Sequence, residues 1–583
     1  MEEKKLHPLV PEMKLKLEQG RITRREFLRF ASLLGVSAVA AQVMASCAPA
    51  EVATQAPQAA TAVPTIVATA VPTLMPTAAP TAVPTAAATA VASLIKRGGT
   101  MRIATRVPRV DDPARYSWTE GSNIIRNVCE YLTYISPDSV THPWLLESWS
   151  ANDDVDEWTL KLHQGVMFND GNELTADDVI FNLKRWIDPD VGSSMMGLLS
   201  AYLTAENIEK VDDYTIKMYF TEPNIGFPEH VYDYAAQIVS RNFEGDILKA
   251  PVGTGPFLLD SYSETERAVL KRRSDYWKMG VDGEPLPYLD ELIYFDLGDD
   301  QSAWLAALEA KQVDRVFNPL PEQIEGFRQM DHVNILSGPT GATYVVRMRC
   351  DQPPFDDNLV RQALKKCQDR QKTLQLAHYN EGALAADAHV SPANPAFVEK
   401  PIPEYDPEGS KELLAQAGYP DGLEITITAM SNTPEGIIAT TLAETAAAGG
   451  FTMKVDLVPS NVYWEQWTEL PLGVTVWGHR PLDTQNLRLA YTVDADGKPV
   501  AWNETKWVDE EFNDLLAEAE KILDVEERKK VISKIMDIQI ERGSVGISFW
   551  RNHWTVCDKH FKDVPFEPNN FDNFVGIWYD PEG

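Results

Sequence analysis

The chain has 583 residues, of which 44% are hydrophobic and 24% charged, and this composition is typical of a globular protein with two or three domains. Acidic residues outnumber basic residues 86 to 53, and a surface with a formal net charge of −33 repels phosphate backbones, which argues against nucleic acid as a partner. For the last four cysteines we expect buried thiols, with one bridged pair as the alternative. The five cysteines show neither CxxC nor metal-ligand spacing, so we expect no metal site and no disulfide framework. They are Cys47, Cys129, Cys350, Cys367 and Cys557.

The first 47 residues have the charged-then-apolar build of an export signal. "TRREFLRF" at 23–30 leads into an uncharged run at 30–46, shorter than the roughly 20 residues that cross a bilayer. Arg24 and Arg25 resemble the pair of a twin-arginine signal, although two arginines can also stand by chance in a basic leader. "MASC" resembles the lipobox of bacterial lipoproteins, with methionine where leucine is usual. We therefore predict lipid modification of Cys47 and an anchor at the extracytoplasmic face of the membrane.

Residues 48–97 form a low-complexity segment of Ala, Thr, Pro and Val. "TAVPT" occurs three times, and 48–95 contain a single charged residue, Glu51. Few large side chains are available for a core, and the prolines favour an extended chain. We interpret the segment as a tether, with a spacer of unselected length as the alternative.

After residue 97 the sequence predicts a mixed α/β body. Strand patterns appear at 98–105, 157–168 and 214–220, the last two as alternating apolar and polar residues. The stretch 174–188 predicts a helix with Thr175 as N-cap and an apolar stripe along one face. Gly418 is expected to end a further helix, and 509–542 predict two helices with a break near residue 524.

Catalytic motifs are not apparent. The sequence contains no HExxH, no GxSxG and no P-loop, and its ten histidines are scattered. "GTGPF" at 253–257 lacks the lysine of a phosphate loop. "DEEF" at 509–512 is interpreted as the first turn of a helix, where carboxylates favour the dipole. A hydrolase whose catalytic residues assemble only in space stays open as an alternative.

Six segments in order resemble one known family. They are "PWLLESWSANDD" (143–154), "LKLHQGVMFNDGNELTADDVIFNLKR" (160–185), "GTGPF", "LKRRSDYW" (270–277), "QPPFDDNLVRQALKKCQDR" (352–370) and "YDPEGSKELLAQAGYPDG" (405–422). They look like the family 5 extracytoplasmic solute-binding proteins of ABC importers, of the peptide, nickel and oligosaccharide type. The resemblance implies a bilobed α/β fold of the periplasmic-binding-protein kind, with an extra small domain and a hinge between the lobes.

The resemblance also implies domain boundaries. Lobe I would be discontinuous, lobe III continuous, and the extra domain inserted early. The expected ranges are 98–132, 238–342 and 545–583 for lobe I, 133–237 for the extra domain and 343–544 for lobe III.

By the same resemblance, the ligand would lie between the lobes. The matching positions are Trp118, Asn318, Tyr463, Trp464, Trp477 and Arg480. Each has a structural alternative, because most tryptophans are core residues and Asn318, next to a proline, suits a turn.

Arg480 is the most informative of these positions. Peptide-binding members of the family resemble "W-x-A-D-Y" in this stretch, and their aspartate pairs with the amino group of the peptide. When the sequences are aligned on Trp477, Arg480 takes the position of that aspartate. A buried amine against guanidinium is costly, so we expect a carboxylate, phosphate or hydroxylated group at Arg480. Arg347 and Arg349 would add positive charge. The alternative is a structural ion pair between Arg480 and Asp483 or another nearby acid.

The sequence thus predicts a receptor without enzymatic activity or cofactor, which delivers a polar, peptide-like or anionic solute to an ABC permease and ATPase. An oligosaccharide receptor and a metal-chelate receptor using His479 and His553 are alternatives of the same fold. A secreted hydrolase is the distant alternative.

Overall fold

The computed structural model describes residues 95–116, 119–493 and 497–582, without the side chain of Asn461. In this part of the chain the strands β1 to β19 are Thr100–Thr105, Thr133–Ile135, Thr141–Pro143, Leu146–Ala151, Glu157–Leu162, Ile208–Asp212, Thr215–Tyr219, Phe257–Ser263, Arg267–Arg272, Glu291–Asp296, Arg315–Val316, Val333–Met348, Gly382–Leu384, Leu423–Met430, Phe451–Val458, Leu472–Trp477, Val545–Asp558, Phe561–Lys562 and Trp578–Tyr579.

The helices of the same part, α1 to α14, are Thr119–Ile125, Ala176–Trp186, Met196–Leu199, Phe227–His230, Gln301–Glu309, Ile324–Arg328, Asn358–Lys366, Arg370–His378, Pro407–Gln416, Pro434–Ala447, Ser460–Gln466, Gln485–Tyr491, Glu510–Ala519 and Val525–Arg542. Strands and helices alternate along most of the chain, so the predicted α/β class is confirmed.

One large mixed sheet connects the two ends of the body. Its strand order is β15-β14-β16-β12-β17-β11-β1-β10-β9-β8, and β13 pairs with β17 outside this path. Strands β8 to β11 and β1 form one half, and β14 to β16 form the other. A separate four-stranded antiparallel sheet has the order β4-β5-β7-β6.

The long strands β12 and β17 run through both halves of the large sheet. Residues 333–339 of β12 pair with 552–558 of β17, and residues 343–347 pair with the beginning of β17. The register shifts between Pro339 and Thr343 and again before Val345. Such an irregularity bends the strands locally. The two halves are therefore joined by strands whose pairing is interrupted at the crossing.

Separate hydrophobic cores stabilise these parts. One cluster surrounds Trp158 and Trp186 and belongs to the four-stranded sheet with α2. Two clusters pack against the half that contains β14 and β16, and two against the half that contains β1. The domain boundaries expected from the resemblance remain a prediction.

Local sequence signals explain several element ends. The hydroxyl and the backbone N–H of Thr175 both donate to the Asp178 carboxylate at the start of α2, at 3.1 and 3.0 Å. Gly418 follows α9 with a φ of +94°, a conformation that suits glycine. The break between α13 and α14 falls at residues 520–524. These predictions are confirmed.

The glycines of "GTGPF" allow a close backbone approach and do not form a phosphate loop. A Cβ on Gly253 would lie 1.9 Å from the carbonyl oxygen of Val128, and one on Gly255 would lie 2.4 Å from that of Asn127. The segment therefore packs directly against the chain after α1, where the N–H of Gly255 donates to Val128 at 2.8 Å.

Two further predictions concern the thiols and the membrane. The four cysteines of the described residues are free, and Cys129, Cys367 and Cys557 are buried. Among the helices that the structure describes, none is both long and apolar enough to cross a membrane. The signal segment, Cys47, most of the tether and Trp118 lie outside the described residues.

Candidate ligand-binding site

Strand β16 and the turn after it place the residues of "VWGHRPLD". Trp477 ends the strand, is only 6% exposed, and its indole N–H donates to Glu504 at 3.0 Å. The other carboxylate oxygen of Glu504 accepts from the Thr475 hydroxyl at 2.7 Å and lies 2.8 Å from the Arg347 guanidinium. Trp477 is thus a core residue held by a buried carboxylate.

His479 links this turn to the crossing strand β12. Its Nδ1 accepts from the backbone N–H of Gly341 at 2.8 Å, inside the segment where the register of β12 shifts. Burial, and secondarily the charge of Arg480, lowers the pKa of His479 to about 3. The imidazole is therefore neutral at physiological pH and serves as a backbone anchor.

Among the described residues, no acid lies at bonding distance from the Arg480 side chain. Its Nη1 donates only to the carbonyl of His479, at 3.3 Å, and its buried Nε has no hydrogen-bond partner in the described part of the chain. Asp483 instead pairs with Arg528, 3.0 Å away, and both are buried. The alternative prediction of an Arg480–Asp483 ion pair is wrong, because the turn directs Asp483 towards α14.

Arg480 lines a cavity of about 280 Å³ where three parts of the chain meet. Ile135 and Asp233 come from the region of the four-stranded sheet, Gln485 from α12, and Phe571 from the C-terminal segment. Arg480 therefore lies where these three segments meet.

Polar atoms in this cavity lack partners among the described residues. Gln485 is 5% exposed and its Oε1 accepts no hydrogen bond; one carboxylate oxygen of Glu229 is also unpartnered. Buried polar groups without partners are rare in folded proteins and often mark ligand or water positions. With the Nε of Arg480, they form a donor and acceptor set around one space.

Two acidic residues near Arg480, Asp233 and Glu229, have raised pKa values. Burial raises the pKa of Asp233, and the positive charge of Arg480 opposes that rise. Burial also raises the pKa of Glu229, against a hydrogen bond from the Thr141 hydroxyl at 2.7 Å. The positive charge of Arg480 therefore acts to lower the pKa of Asp233, although no salt bridge joins the two side chains.

Three other predicted ligand residues, Tyr463, Trp464 and Asn318, do not line the Arg480 cavity. Tyr463 is fully buried, and its hydroxyl lies 2.9 Å from that of Thr475. Trp464 is 40% exposed and stacks edge-on against Tyr463 and Trp467. Asn318 is exposed with a φ of +41°, the geometry of a turn. A ligand role for these residues stays a prediction.

The expected positive charge of Arg347 and Arg349 is neutralised. Arg347 is completely buried against Glu504, and Arg349 contacts Asp351 and Glu469, each at 2.8 Å. The prediction that these two arginines add positive charge near Arg480 is therefore wrong. Arg347 points inward from β12 towards Glu504, and Arg349, just after β12, lies beside two surface acids.

A second cavity, of about 400 Å³, lies between the region after α1 and residues 572–575. There the Arg126 guanidinium stacks between the rings of Phe571 and Tyr131, with centroid distances of 4.4 and 4.7 Å. Glu130 accepts hydrogen bonds from Trp144, Tyr276 and Trp277. Glu130 is therefore held by protein donors, whereas the Nε of Arg126, like that of Arg480, has no hydrogen-bond partner among the described residues.

The two histidines considered for binding a metal chelate, His479 and His553, are described by the structure. Both His479 and His553 are buried, and burial, with the charge of Arg551, lowers the pKa of His553 well below its ordinary value. Because Nδ1 of His479 already accepts from the backbone, only its Nε2 could turn to a ligand. Across the described ranges, no group of three or more His, Cys, Asp or Glu side chains could hold a metal ion.

Sequence reasoning missed Asp233, Glu229 and Gln485. Glu229 and Asp233 are about 250 residues before Arg480 in the chain, and no local pattern connects them. Gln485 lies close to Arg480 in sequence, and the only available signal was its position at the first turn of α12.

The fold is that of the bilobed binding proteins of the periplasmic type. Residues 140–498 match the bacterial extracellular solute-binding proteins, family 5 (middle region). The chain belongs to this family, and it is a solute-binding protein rather than an enzyme.

Two curated relatives indicate the range of the family. Over 476 residues the chain is 27% identical to di/tripeptide-binding protein 1 of Pseudomonas aeruginosa, covering 74% of this chain and 85% of the relative. It is 28% identical over 327 residues to the glutathione-binding protein GsiB of Salmonella paratyphi A, covering 55% of this chain and 62% of the relative.

Solved structures support the fold. HbpA2 from Haemophilus parasuis superposes with a TM-score of 0.73 at 23% identity, covering 83% of this chain and all of that one. The periplasmic binding protein DppA from Helicobacter pylori, in complex with the peptide STSA, superposes with a TM-score of 0.68 at 22% identity, covering 84% and 100%.

Proposed function

We propose that this protein is the substrate-binding lipoprotein of an ABC importer, which captures a polar, peptide-like solute at Arg480 and delivers it to a permease and ATPase complex. Family membership supports the receptor role, and the names of the relatives favour small peptides. Anchoring through Cys47 would hold the receptor at the extracytoplasmic face of the membrane.

The observation that carries the ligand site is the unpaired Arg480. This half-buried guanidinium has an unpartnered Nε and no acid within bonding distance in the described part of the chain, which is costly unless another group pairs with it. Asp483 is engaged by Arg528, so the structural pair that would explain Arg480 does not form. In this proposal the partner of Arg480 is a solute in the cavity.

The family's usual peptide-binding device cannot operate here unchanged. Its aspartate for the peptide amino group corresponds to Arg480, which offers five donors in a planar fork and suits a carboxylate. We therefore propose that the acidic end of the solute contacts Arg480. An oligosaccharide stays a second candidate, since the family resemblance includes sugar receptors.

The test is Arg480→Ala, with native mass spectrometry of protein purified from its own host to identify the retained solute. Charge-assisted hydrogen bonds are worth about 1.5–3 kcal/mol each, so we expect affinity for that solute to fall about tenfold to a hundredfold. The thermal stability of the ligand-free protein should barely change.

Arg349→Ala is the matched control, because Arg349 pairs with Asp351 and Glu469 away from the cavity. It should keep wild-type affinity. The proposal fails if Arg480→Ala retains full affinity while the ligand-free protein loses several degrees of melting temperature, since Arg480 would then be structural.

A further inference from the structure

The four-stranded sheet with α2, residues 146–226, contacts both halves of the large sheet, and we call it the four-stranded domain. On one side, Arg185 of α2 lies 2.6 Å from Asp112, which follows β1, and both side chains are largely buried. On the other side, Leu482, between β16 and α12, packs into the hydrophobic cluster around Trp158. The four-stranded domain therefore bridges the two halves, in addition to the strands β12 and β17.

Arg488 on α12 joins the four-stranded domain to the half that contains β16, against which α12 and α13 pack. Its Nη1 donates to the carboxylate of Glu520, just after α13, at 2.5 Å, and its Nη2 donates to the carboxylate of Glu222 in the loop after β7. The side chain of Glu520 is 7% exposed, whereas that of Glu222 is 44% exposed. Arg488 and Glu520 thus form a pair within one half, and Glu222 is their partner from the four-stranded domain.

A backbone hydrogen bond lies beside this ion pair. The N–H of Ile225 donates to the carbonyl of Glu520 at 3.2 Å. Glu520 therefore contacts the four-stranded domain twice, through Arg488 with its carboxylate and through Ile225 with its carbonyl. If the domain moved away from α12 and α13, both the Glu222 contact and the Ile225 hydrogen bond would break, while the attachment of α2 to the other half would stay.

From this geometry we infer that Arg488 is a latch: by binding Glu222 it holds the four-stranded domain against α12 and α13, and it shifts the protein towards a closed arrangement of its two lobes. Hinge motion makes and breaks contacts of this kind. The latch ends on a half-exposed carboxylate, which returns to water when the contact breaks. Arg488 keeps Glu520 as its partner in the open arrangement, so no buried charge is left alone. The action of the latch does not depend on the identity of the solute.

The test compares Glu222→Ala with the wild type in the full protein freed of bound solute. This change removes the half-exposed end of the latch and leaves Arg488 paired with Glu520, so the fold should persist. Hydrogen–deuterium exchange reports on the amide of Ile225, and small-angle X-ray scattering reports on the separation of the lobes. We expect exchange at Ile225 to become about threefold to tenfold faster and the radius of gyration to increase, while the midpoint of chemical denaturation barely changes.

Glu157→Ala is the matched control, because Glu157 pairs with Lys217 inside the four-stranded sheet at 2.6 Å and its side chain is 36% exposed. It should leave exchange at Ile225 and the radius of gyration at their wild-type values. Salt provides a second check, since 1 M salt shortens the screening length to about 3 Å. The wild type in 1 M salt should approach Glu222→Ala at low salt, and Glu222→Ala itself should respond little.

Three outcomes overturn the inference. Wild-type exchange at Ile225 in Glu222→Ala would show that the ion pair does not hold the domain. Faster exchange at Ile225 with an unchanged radius of gyration would show that the contact breaks without opening the lobes. Faster exchange throughout the body, with a lower denaturation midpoint, would assign the ion pair to overall stability. None of these outcomes bears on the proposed solute site, which is tested separately by the affinity of Arg480→Ala.

Discussion

At the scale of single residues, the buried charges around Trp477 are divided between structure and binding. Glu504 and Arg347 are both almost inaccessible and lie 2.8 Å apart, and the same carboxylate fixes the indole of Trp477. Arg480, three residues after Trp477, has no carboxylate partner at bonding distance within the described ranges. Pairing, rather than residue type, therefore separates a structural arginine from a candidate ligand arginine.

This division predicts that Glu504→Gln strongly destabilises the protein. Removing the carboxylate charge leaves Arg347 buried without compensation and presents an amide donor to a site that needs only acceptors. We expect a loss of about 3–5 kcal/mol in the free energy of unfolding, measured by chemical denaturation.

The control for that change is Glu469→Gln, which removes the charge of an exposed partner of Arg349. An exposed pair is worth about 0–1 kcal/mol, so the loss should be small. Similar effects of the two variants would contradict the structural role assigned to Glu504.

At the scale of elements, β12 connects the crossing between the halves of the sheet to the turn that carries Arg480. The N–H of Gly341 donates to His479, next to Arg480, and Thr340 donates its hydroxyl to the carbonyl of Arg551 at 2.7 Å. These bonds replace the ladder pairing that is interrupted here. A shift of the crossing strand would therefore move the turn that carries Arg480.

We predict that Gly341→Ala reduces both stability and solute retention. A Cβ at this position would lie 3.0 Å from Nδ1 of His479 and 3.0 Å from the hydroxyl of Ser391, so the turn must move. Overpacking of this kind costs about 1–3 kcal/mol, and we expect a lower melting temperature together with less co-purified solute.

Gly197→Ala provides the comparison, because a Cβ there meets no atom within 4 Å. That variant should match the wild type in both measurements. Wild-type solute retention in Gly341→Ala would show that β12 and the Arg480 turn are not coupled.

At the scale of the whole molecule, the body begins where the tether ends. Lys96 lies 2.8 Å from Asp580, and Arg97 lies 2.6 Å from Asp282. The residues just after the low-complexity segment are thus attached to the body by exposed and half-exposed ion pairs. The sequence before them has the composition of a spacer, in line with the lipid anchor proposed at Cys47.

The anchor gives a prediction for the intact protein. Cys47→Ala should move the protein from the membrane fraction to the soluble fraction, since lipid chains on this cysteine would supply the attachment. Fractionation with intact-mass measurement checks the result. A variant that stays membrane-bound with unchanged mass would contradict the lipoprotein prediction.

The sequence by itself determined the local structure and the family. Alternating strands, the Thr175 capping box and the Gly418 stop depend on residues close together in the chain, so their patterns are readable without a fold. The ordered motifs were enough to predict a bilobed solute-binding protein, which the match over residues 140–498 confirms.

Only the tertiary structure decided which charges are paired. Arg347 meets Glu504 across more than 150 residues, Asp483 turns to Arg528, and Asp233 reaches the cavity of Arg480 from another part of the chain. Sequence spacing carries no information on such contacts, because they depend on strand order and on how the halves of the sheet pack. Burial then makes each pairing energetically decisive, since an isolated charge is far more costly in the interior than at the surface.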